Sequence, residues 1–529
     1  MKMKSLSILA AAALFSGAVT SCVDDLDVTP IDPNVTLPET VLDSEDAYAQ
    51  LLAKCYVSLS VSGSEGPDKD PDIDGVDGGF GQYVRALFYM QEFTTDEALI
   101  VWNDKTVMDL HTFSYTASDV FVTAMFSRIY YQISLCNEFI RRASASEFAG
   151  SENIKTMIAE ARALRALSYY HAIDMFGDVP FADENSVVGA VGPDQKSRAD
   201  LFHWLDDECA DIIDNSAIKG TRQNVYGRLD VNFVKMIRAH LNLNARVYLG
   251  LADDAAAKEY YDVAATMSKE VVAAYPALRA NYADLFCGEN HLCTDEIIFG
   301  VQQDGTYTQS YGVTCFIIKA SCKGGDKATA AALGIDDGWG GTLVTPEFIS
   351  KFDASDVRYR FWGAGQDMTS SQSIDVLEFD YGWSSYKFTN LNMDGSAPAI
   401  INFPSTDFPL FRAADAYLML AEAQLRGAST VSAAEGQAAL NAVRNRAGLG
   451  NGTYTLAGLL DERGRELYWE CWRRSDLVRY GLLTGNDYLW TWKGGLQSGR
   501  SVDDKYNLFP IPVSELNSNS KLSQNEAWK

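Results

Sequence analysis

The chain has 529 residues, 47% of them hydrophobic and 12% aromatic, which supplies enough apolar surface for a large packed body. Its formal net charge is −27 at pH 7, which argues against nucleic acid or an anionic lipid surface as a partner, because both reward basic patches. Nine cysteines over this length are too sparse for a disulfide scaffold.

Residues 1–21 read as an export signal. Lys2 and Lys4 give a basic start, and residues 6–19 form an apolar run. That run is shorter than the roughly 20 apolar residues a membrane-spanning helix needs, and it fits the apolar region of a cleaved signal. The stretch Val19-Thr-Ser-Cys22 resembles a bacterial lipobox, in which the cysteine becomes the first mature residue and carries lipid. Cys22 is therefore expected to be a lipid anchor, since several acyl chains on one residue hold stably to a bilayer. Losing residues 1–21 removes two lysines and no acid, so the charge moves from −27 to −29. Asp24, Asp25 and Asp27 resemble the acidic signal that sends some lipoproteins to the outer face of the outer membrane, and residues 22–40 read as an acidic, Pro-rich tether.

Helical signals dominate from residue 41 onward. Ser44 is the expected N-cap of a helix reaching about residue 59. Further helices are expected over 121–143 and 154–176, the latter stopped by Gly177 with Pro180 behind it. Two antiparallel pairs follow, 231–251 with 255–275 and 411–426 with 432–446. In the first member of the later pair Phe411, Ala414, Tyr417, Leu418, Ala421 and Leu425 share a face. Pairs of this size resemble tetratricopeptide repeats, which must stack to bury their apolar faces. The fold class is thus mainly α, with helical pairs in a superhelix and an irregular loop and small β layer. One domain is expected over 41–529, with a helical scaffold at 41–280 and 410–529. The variable layer covers 281–409 together with the loop 60–105.

Within 281–409 Gly, Ser, Asp and aromatic residues crowd together, and strand-like runs are short, at 296–301, 313–318 and 385–388. Loops on a rigid scaffold are where binding usually resides. Most cysteines read as buried thiols; if disulfides form, the short loops favour Cys287–Cys293 or Cys315–Cys322. Asp70, Asp72, Asp74 and Gly75 match positions 1, 3, 5 and 6 of a calcium loop, but Gly81 stands where the bidentate Glu belongs. A structural calcium on Asp70, Asp72 and Asp74 is the possible metal; an acidic surface loop is the other reading. No cofactor is otherwise required.

Several segments in order resemble the SusD/RagB family of outer-membrane nutrient-binding lipoproteins. They include the helix Glu160-Ala-Arg-Ala-Leu-Arg-Ala-Leu-Ser-Tyr-Tyr-His-Ala-Ile-Asp-Met-Phe with its Gly-Asp-Val-Pro exit. Ala421-Glu-Ala423 with Asn441-Ala-Val-Arg-Asn-Arg-Ala-Gly448, the stretch 461–481, and Leu508-Phe-Pro-Ile-Pro-Val-Ser-Glu515 with Gln524-Asn525 complete the set. Within 461–481, Glu466, Glu470, Arg473, Asp476 and Arg479 fall three or four apart, so they are expected to pair along one helix face, while Trp469 and Trp472 supply buried area. The resemblance implies a four-unit helical body that caps a SusC-like TonB-dependent transporter, captures oligosaccharide or, in some branches, peptide, and passes it into the barrel.

A sugar offers an apolar C–H face and a rim of hydroxyls, so its site needs aromatic platforms and short polar groups. Trp102, beside Asn103 and Asp104, is one candidate, and the resemblance assigns a platform and an amide to Trp102 and Asn103. Trp339, among the glycines of Gly338-Trp-Gly-Gly-Thr342, is a second, and Tyr311 in Tyr307-Thr-Gln-Ser-Tyr311 is a third. Trp362, Trp383, Trp490 and Trp492 read as packing or interface residues. The chain lacks H-E-x-x-H, G-x-S-x-G and G-x-x-x-x-G-K-[ST], and His111 and His291 have no evident nucleophile partner. The expected role is a non-catalytic, cell-surface, lipid-anchored glycan binder. The alternatives are a RagB-like peptide binder and, with 71 acids to draw a carboxylate pair from, a surface glycoside hydrolase.

Overall fold

A computed structural model of the chain describes residues 41–187, 189, 192–363 and 379–529. Cys22, the signal 1–21 and the tether 22–40 lie outside the described residues. Contacts divide the chain into two units, Met1–Tyr48 and Ala49–Lys529. The Ser44 hydroxyl accepts a hydrogen bond from Ala47 N at 3.3 Å, capping helix α1 (Glu45–Val57) as expected.

The second unit is mainly helical. Helices α2 (Tyr83–Glu92) and α3 (Lys105–Thr112) flank a two-residue strand, β1 (Leu99–Ile100). Helix α4 (Val120–Ala145) starts on Asp119, whose carboxylate accepts from Phe121 N and Val122 N, and α5 (Glu152–Met175) starts on Ser151. Gly177, at φ +76°, ends that pair where the sequence places the stop. Strands β2 (Val179–Pro180) and β3 (Gln195–Lys196) pair before α6 (Arg198–Asn215), α7 (Val231–Leu243), α8 (Ala245–Tyr248) and α9 (Lys258–Ala274). Strand β4 (Ile297–Val301) opens the irregular layer, which holds α10 (Val313–Ala320), α11 (Lys327–Leu333), β5 (Thr342–Leu343), α12 (Pro346–Ile349), β6 (Phe361–Trp362) and β7 (Ser384–Ser385). Strand β8 (Phe408–Arg412) closes it by pairing antiparallel with β4, and α13 (Ala413–Leu425), α14 (Ala433–Arg446), α15 (Leu456–Leu467) and α16 (Arg473–Arg479) complete the scaffold.

Each long helix packs on the next: α4 on α5, α5 on α6, α6 on α7, α7 on α9, α9 on α13 and α13 on α14. That chain of neighbours is a continuous helical wall in which no pair buries its apolar face alone. The layer between β4 and β8 begins and ends on one antiparallel ladder, and Arg358 and Lys387 carry it into the scaffold core through Glu462, Glu466 and Glu470.

Three expectations are corrected. The run 313–318 is helix α10, not a strand; all eight of its residues are buried, and a short apolar run of this kind does not distinguish the two by periodicity. The loop 60–105 contains α2, every residue of which is buried. Phe411 belongs to β8 rather than to the helix that follows. Of the two readings of the cysteines, that of buried thiols stands: Cys287 and Cys293 both donate to Asp284 O, at 3.3 and 3.4 Å, and Cys315 and Cys322 are likewise free and buried.

The charged stretch 461–481 also departs from expectation. It is not one helix: α15 ends at Leu467, Trp469 and Cys471 take left-handed backbone (φ 62° and 68°), and α16 begins at Arg473. Carboxylates from beside α2 hold that turn. Glu97 accepts from Trp469 N at 3.1 Å and Glu92 from Cys471 N at 2.6 Å. The charges then pair between elements, in the core. Arg412 meets Glu296, Glu466 and Glu470 at 2.6–2.9 Å; Arg358 meets Asp356, Glu462 and Glu466 at 2.7–3.1 Å. Arg446 pairs with Glu296 and Glu466, Arg463 with Asp415 and Asp476, and Arg479 with Glu422 and Asp476. Burial would raise the Glu466 carboxyl, but Arg446, Arg412 and Arg358 outweigh it and hold it at about 2. Trp469 and Trp472 are buried as expected, Trp472 stacked on His240 with centroids 4.0 Å apart.

Candidate functional site

The candidate rings arrive from three segments that are distant in sequence. Strand β1 pairs antiparallel with β5, Leu99 opposite Leu343 and Ile100 opposite Thr342, and Val101 N extends the ladder to Gly341 O at 2.8 Å. Leu99, Leu343 and Trp492 pack into a small core beneath it. Trp102 follows at once and is fixed by its own N–H, which donates to Gly340 O at 2.6 Å. Its indole lies across Gly341, where an added Cβ would sit 2.6 Å from the ring. Asn103, next in the chain, is exposed.

Trp339 is held by the turn that ends α10. Its backbone N donates to Lys319 O at 2.7 Å, Gly340 N to Cys322 O at 2.7 Å and Gly341 N to Ala320 O at 2.9 Å. The glycines around it serve close approach rather than looseness: a Cβ at Gly338 would lie 2.0 Å from Cys322 O. Tyr311 is placed by α2. Arg85 bridges Tyr311 O at 2.9 Å and Gly79 O at 2.8 Å, while its other nitrogens donate to Tyr89 Oη at 2.9 and 3.0 Å. Beyond Tyr311, Gly312 lies against Gln82, and Val313 holds φ 48°, a strained value for a β-branched residue of the sort that concentrates at functional sites.

These placements bring the rings together. Tyr311 meets Trp339 edge-on at 5.9 Å and 65°, and packs on Phe403 at 5.2 Å. Trp102 packs on Phe316 at 5.9 Å and 71°, and the Arg85 guanidinium lies 4.5 Å from the Phe316 ring and 6.0 Å from that of Trp339. Trp102, Tyr311 and Trp339 are each half-buried, so every ring keeps part of its surface open. Lys319 Nζ lies 5.7 Å from the Trp339 ring and is paired with Asp336. Burial first, then Asp68 and Asp336, raise the Tyr311 pKa, so its phenol stays a neutral donor. The arrangement offers flat apolar surface, a phenol and an exposed amide, which is what a pyranose needs.

Tyr307, in the same loop as Tyr311, is 88% exposed and stands apart from the cluster's ring contacts. Asp70, Asp72 and Asp74 are a correction. Asp72 is taken by Lys54 at 2.9 Å, and among the described residues no three His, Cys, Asp or Glu side chains gather as a metal site would require. His111 is buried with neither ring nitrogen hydrogen-bonded, and burial lowers its pKa to about 3, so it is a neutral packing residue. Sequence reasoning missed Arg85, Phe316, Lys319 and Phe403. Arg85 alone left a signal, as the single cation in the apolar stretch Tyr83–Glu92.

Residues 353–528 match the model of the SusD family. Over 578 aligned positions the chain is 32% identical to the starch-binding protein SusD of Bacteroides thetaiotaomicron, covering 99% of both sequences. It is 23% identical to the SusD-like protein P25 of Formosa agariphila, covering 96% of this chain and 97% of that one. Among solved structures, surface glycan-binding protein A from Bacteroides thetaiotaomicron in complex with laminarihexaose shares the fold at TM-score 0.69 and 19% identity, over 91% of this chain and 99% of that one. A SusD-like carbohydrate binding protein from Bacteroides fragilis does so at TM-score 0.70 and 18% identity, over 92% and 100%. No helix among the described residues is long and apolar enough to cross a membrane.

Proposed function

The chain belongs to the SusD family, and on that premise we propose that it is a cell-surface lipoprotein that binds oligosaccharide at Trp102, Asn103, Tyr311 and Trp339 and delivers it, uncleaved, to a SusC-like TonB-dependent transporter. The observation that carries the reading is the convergence of three half-open rings, each fixed by hydrogen bonds of its own backbone or indole N–H. Relatives named for starch binding and for a laminarihexaose complex support a glucan as the first class to try. Binding without cleavage is favoured by the relatives, which are named for binding starch and for a complex with laminarihexaose. Cys22 supplies the anchor, and the long acidic tether lets the body stand off the membrane.

Isothermal titration of a soluble form starting at residue 23 with maltoheptaose and with laminarihexaose tests the reading. We expect binding to at least one, no new reducing ends on incubation, and a loss of about 1.5–3 kcal/mol in Trp339→Ala and in Trp102→Ala, roughly ten- to a hundredfold in Kd. Binding of peptides but of neither glycan would replace this reading with the RagB-like one. Replacement of Cys22 by Ala should release the chain from the membrane fraction.

A further inference from the structure

A second pair of rings borders a separate cleft. Trp362 ends β6 and Tyr386 follows β7; the two strands pair with Phe361 opposite Ser385 and Trp362 opposite Ser384. The rings lie 5.2 Å apart at 34°. The Arg360 guanidinium sits 4.8 Å from the Tyr386 centroid, and its Nε donates to Tyr386 O at 3.3 Å. Trp362 Nε1 donates to Ser321 O at 3.3 Å. All three side chains are half-buried and line a cavity of about 390 Å³, which also takes in Asn281 and Asn392. That volume falls within the roughly 300–1,000 Å³ of small-molecule sites.

Core packing would enclose an indole, whereas Trp362 is pinned by one hydrogen bond and left open on the cleft. Stacking on Tyr386 fixes the guanidinium of Arg360, so its donors are in place before any ligand arrives. The nearby acid is already committed, since Asp284 is paired with Arg279 at 2.9 Å. Flat rings, a prepositioned donor and two amides, with no uncommitted acid among the lining residues described, match the face and hydroxyl rim of a neutral pyranose. The two aromatic sites also share a support. Lys319 O and Ala320 O hold Trp339 and Gly341, Ser321 O holds Trp362, and Cys322 O holds Gly340, so four consecutive carbonyls at the end of α10 and just beyond it orient both.

We infer that the Trp362–Tyr386–Arg360 cleft is a second glycan-binding site, which takes a further pyranose of a polymeric neutral glycan. The inference rests on the reading of the chain as a glycan binder and adds a second point of attachment. Two weak sites on one polymer reinforce each other through effective concentration, whereas a short oligosaccharide held at the first site gains nothing from the second.

The test uses affinity electrophoresis in amylopectin and in laminarin, beside titration with maltoheptaose and laminarihexaose. Trp362→Ala and Tyr386→Ala should each lower retention on the polymer at least threefold while leaving short-oligosaccharide affinity unchanged, and Trp362→Phe should retain most of the retention. Circular dichroism and Tm identify any variant that fails to fold, and Tyr386→Ala stands in if Trp362→Ala does. Unchanged polymer retention in folded Trp362→Ala and Tyr386→Ala overturns the second site while leaving the first intact. Loss of polymer retention in these variants, with no effect of Trp102→Ala or Trp339→Ala, overturns the first and keeps the second. A native protein retained by neither polymer overturns both.

Discussion

Helices α15 and α16 carry more charge than the aromatic site, yet they show water far less of it. Glu462, Arg463, Glu466 and Arg473 are all buried, and Glu462, Glu466 and Asp476 each meet at least one guanidinium. At the aromatic site the backbone is tied just as firmly, through Gly340, Lys319 and Arg85, but the ring surfaces are left half open. Both regions thus use fixed hydrogen bonds, to opposite ends. In the scaffold they neutralise groups that would otherwise be costly to bury; in the loop layer they hold apolar surface in place for something else to cover. Rigidity is common to the two regions, and only the completeness of burial separates them.

The largest effect expected from breaking that contrast lies in the scaffold. Glu466→Ala leaves Arg412, Arg446 and Arg358 short of a partner in the core and should cost about 3–5 kcal/mol in urea unfolding, with glycan affinity of the folded fraction unchanged. Acid should do the same to the native chain. The folded Glu466 carboxyl titrates at about 2, below its ordinary 4.5. Its contribution, on the order of 3 kcal/mol, is therefore fully present above pH 4.5 and lost as pH falls toward 2. An unfolding free energy that stays level across that window would contradict the network.

Gly341→Ala acts on the site alone. Its Cβ would meet the Trp102 ring at 2.6 Å, so the indole must shift. Affinity should fall several-fold, less than in Trp102→Ala, with Tm little altered. An effect of the opposite sign concerns Glu92. Burial raises its pKa to about 7, so the native state favours the protonated form, and stability drops as pH rises from 4.5 through 7. Glu92→Gln keeps an acceptor for Cys471 N without the charge, and its stability should be flatter over that interval by equilibrium unfolding.

The scaffold was legible wherever a local rule decided it. Ser44, Asp119 and Ser151 cap helices near the expected starts, and Gly177 ends α5 where the sequence says it must. What escaped was decided at long range. Val313-Thr-Cys-Phe-Ile-Ile318 favours strand by composition, and burial on every side makes it helix. The break at Trp469–Cys471 depends on Glu92 and Glu97, more than 370 residues away in the chain. At the site, Trp102, Tyr311 and Trp339 stood out because large rings in Gly-, Ser- and Asp-rich surroundings seldom belong to a helix or strand. Arg85 stood out only as a lone cation in an apolar stretch; its task stayed hidden because the carbonyls it bonds, Gly79 O and Tyr311 O, leave no mark on side-chain patterning.

The ladder between β4 and β8 brings the two ends of the segment between them together, while Arg358 and Lys387 within it are partners of Glu462, Glu466 and Glu470 in the scaffold core. Joined ends let 302–407 be exchanged between relatives as a cassette provided that Arg358 and Lys387 are kept: such a swap should leave the helical wall standing while altering which sugars are accepted, whereas loss of either cation strands buried carboxylates. Trp102 would remain with the recipient, outside the cassette, yet its indole is seated on Gly340 and Gly341 within it. Chimeras that keep those two glycines should therefore tolerate the exchange, and those that lose them should fold with a misplaced ring.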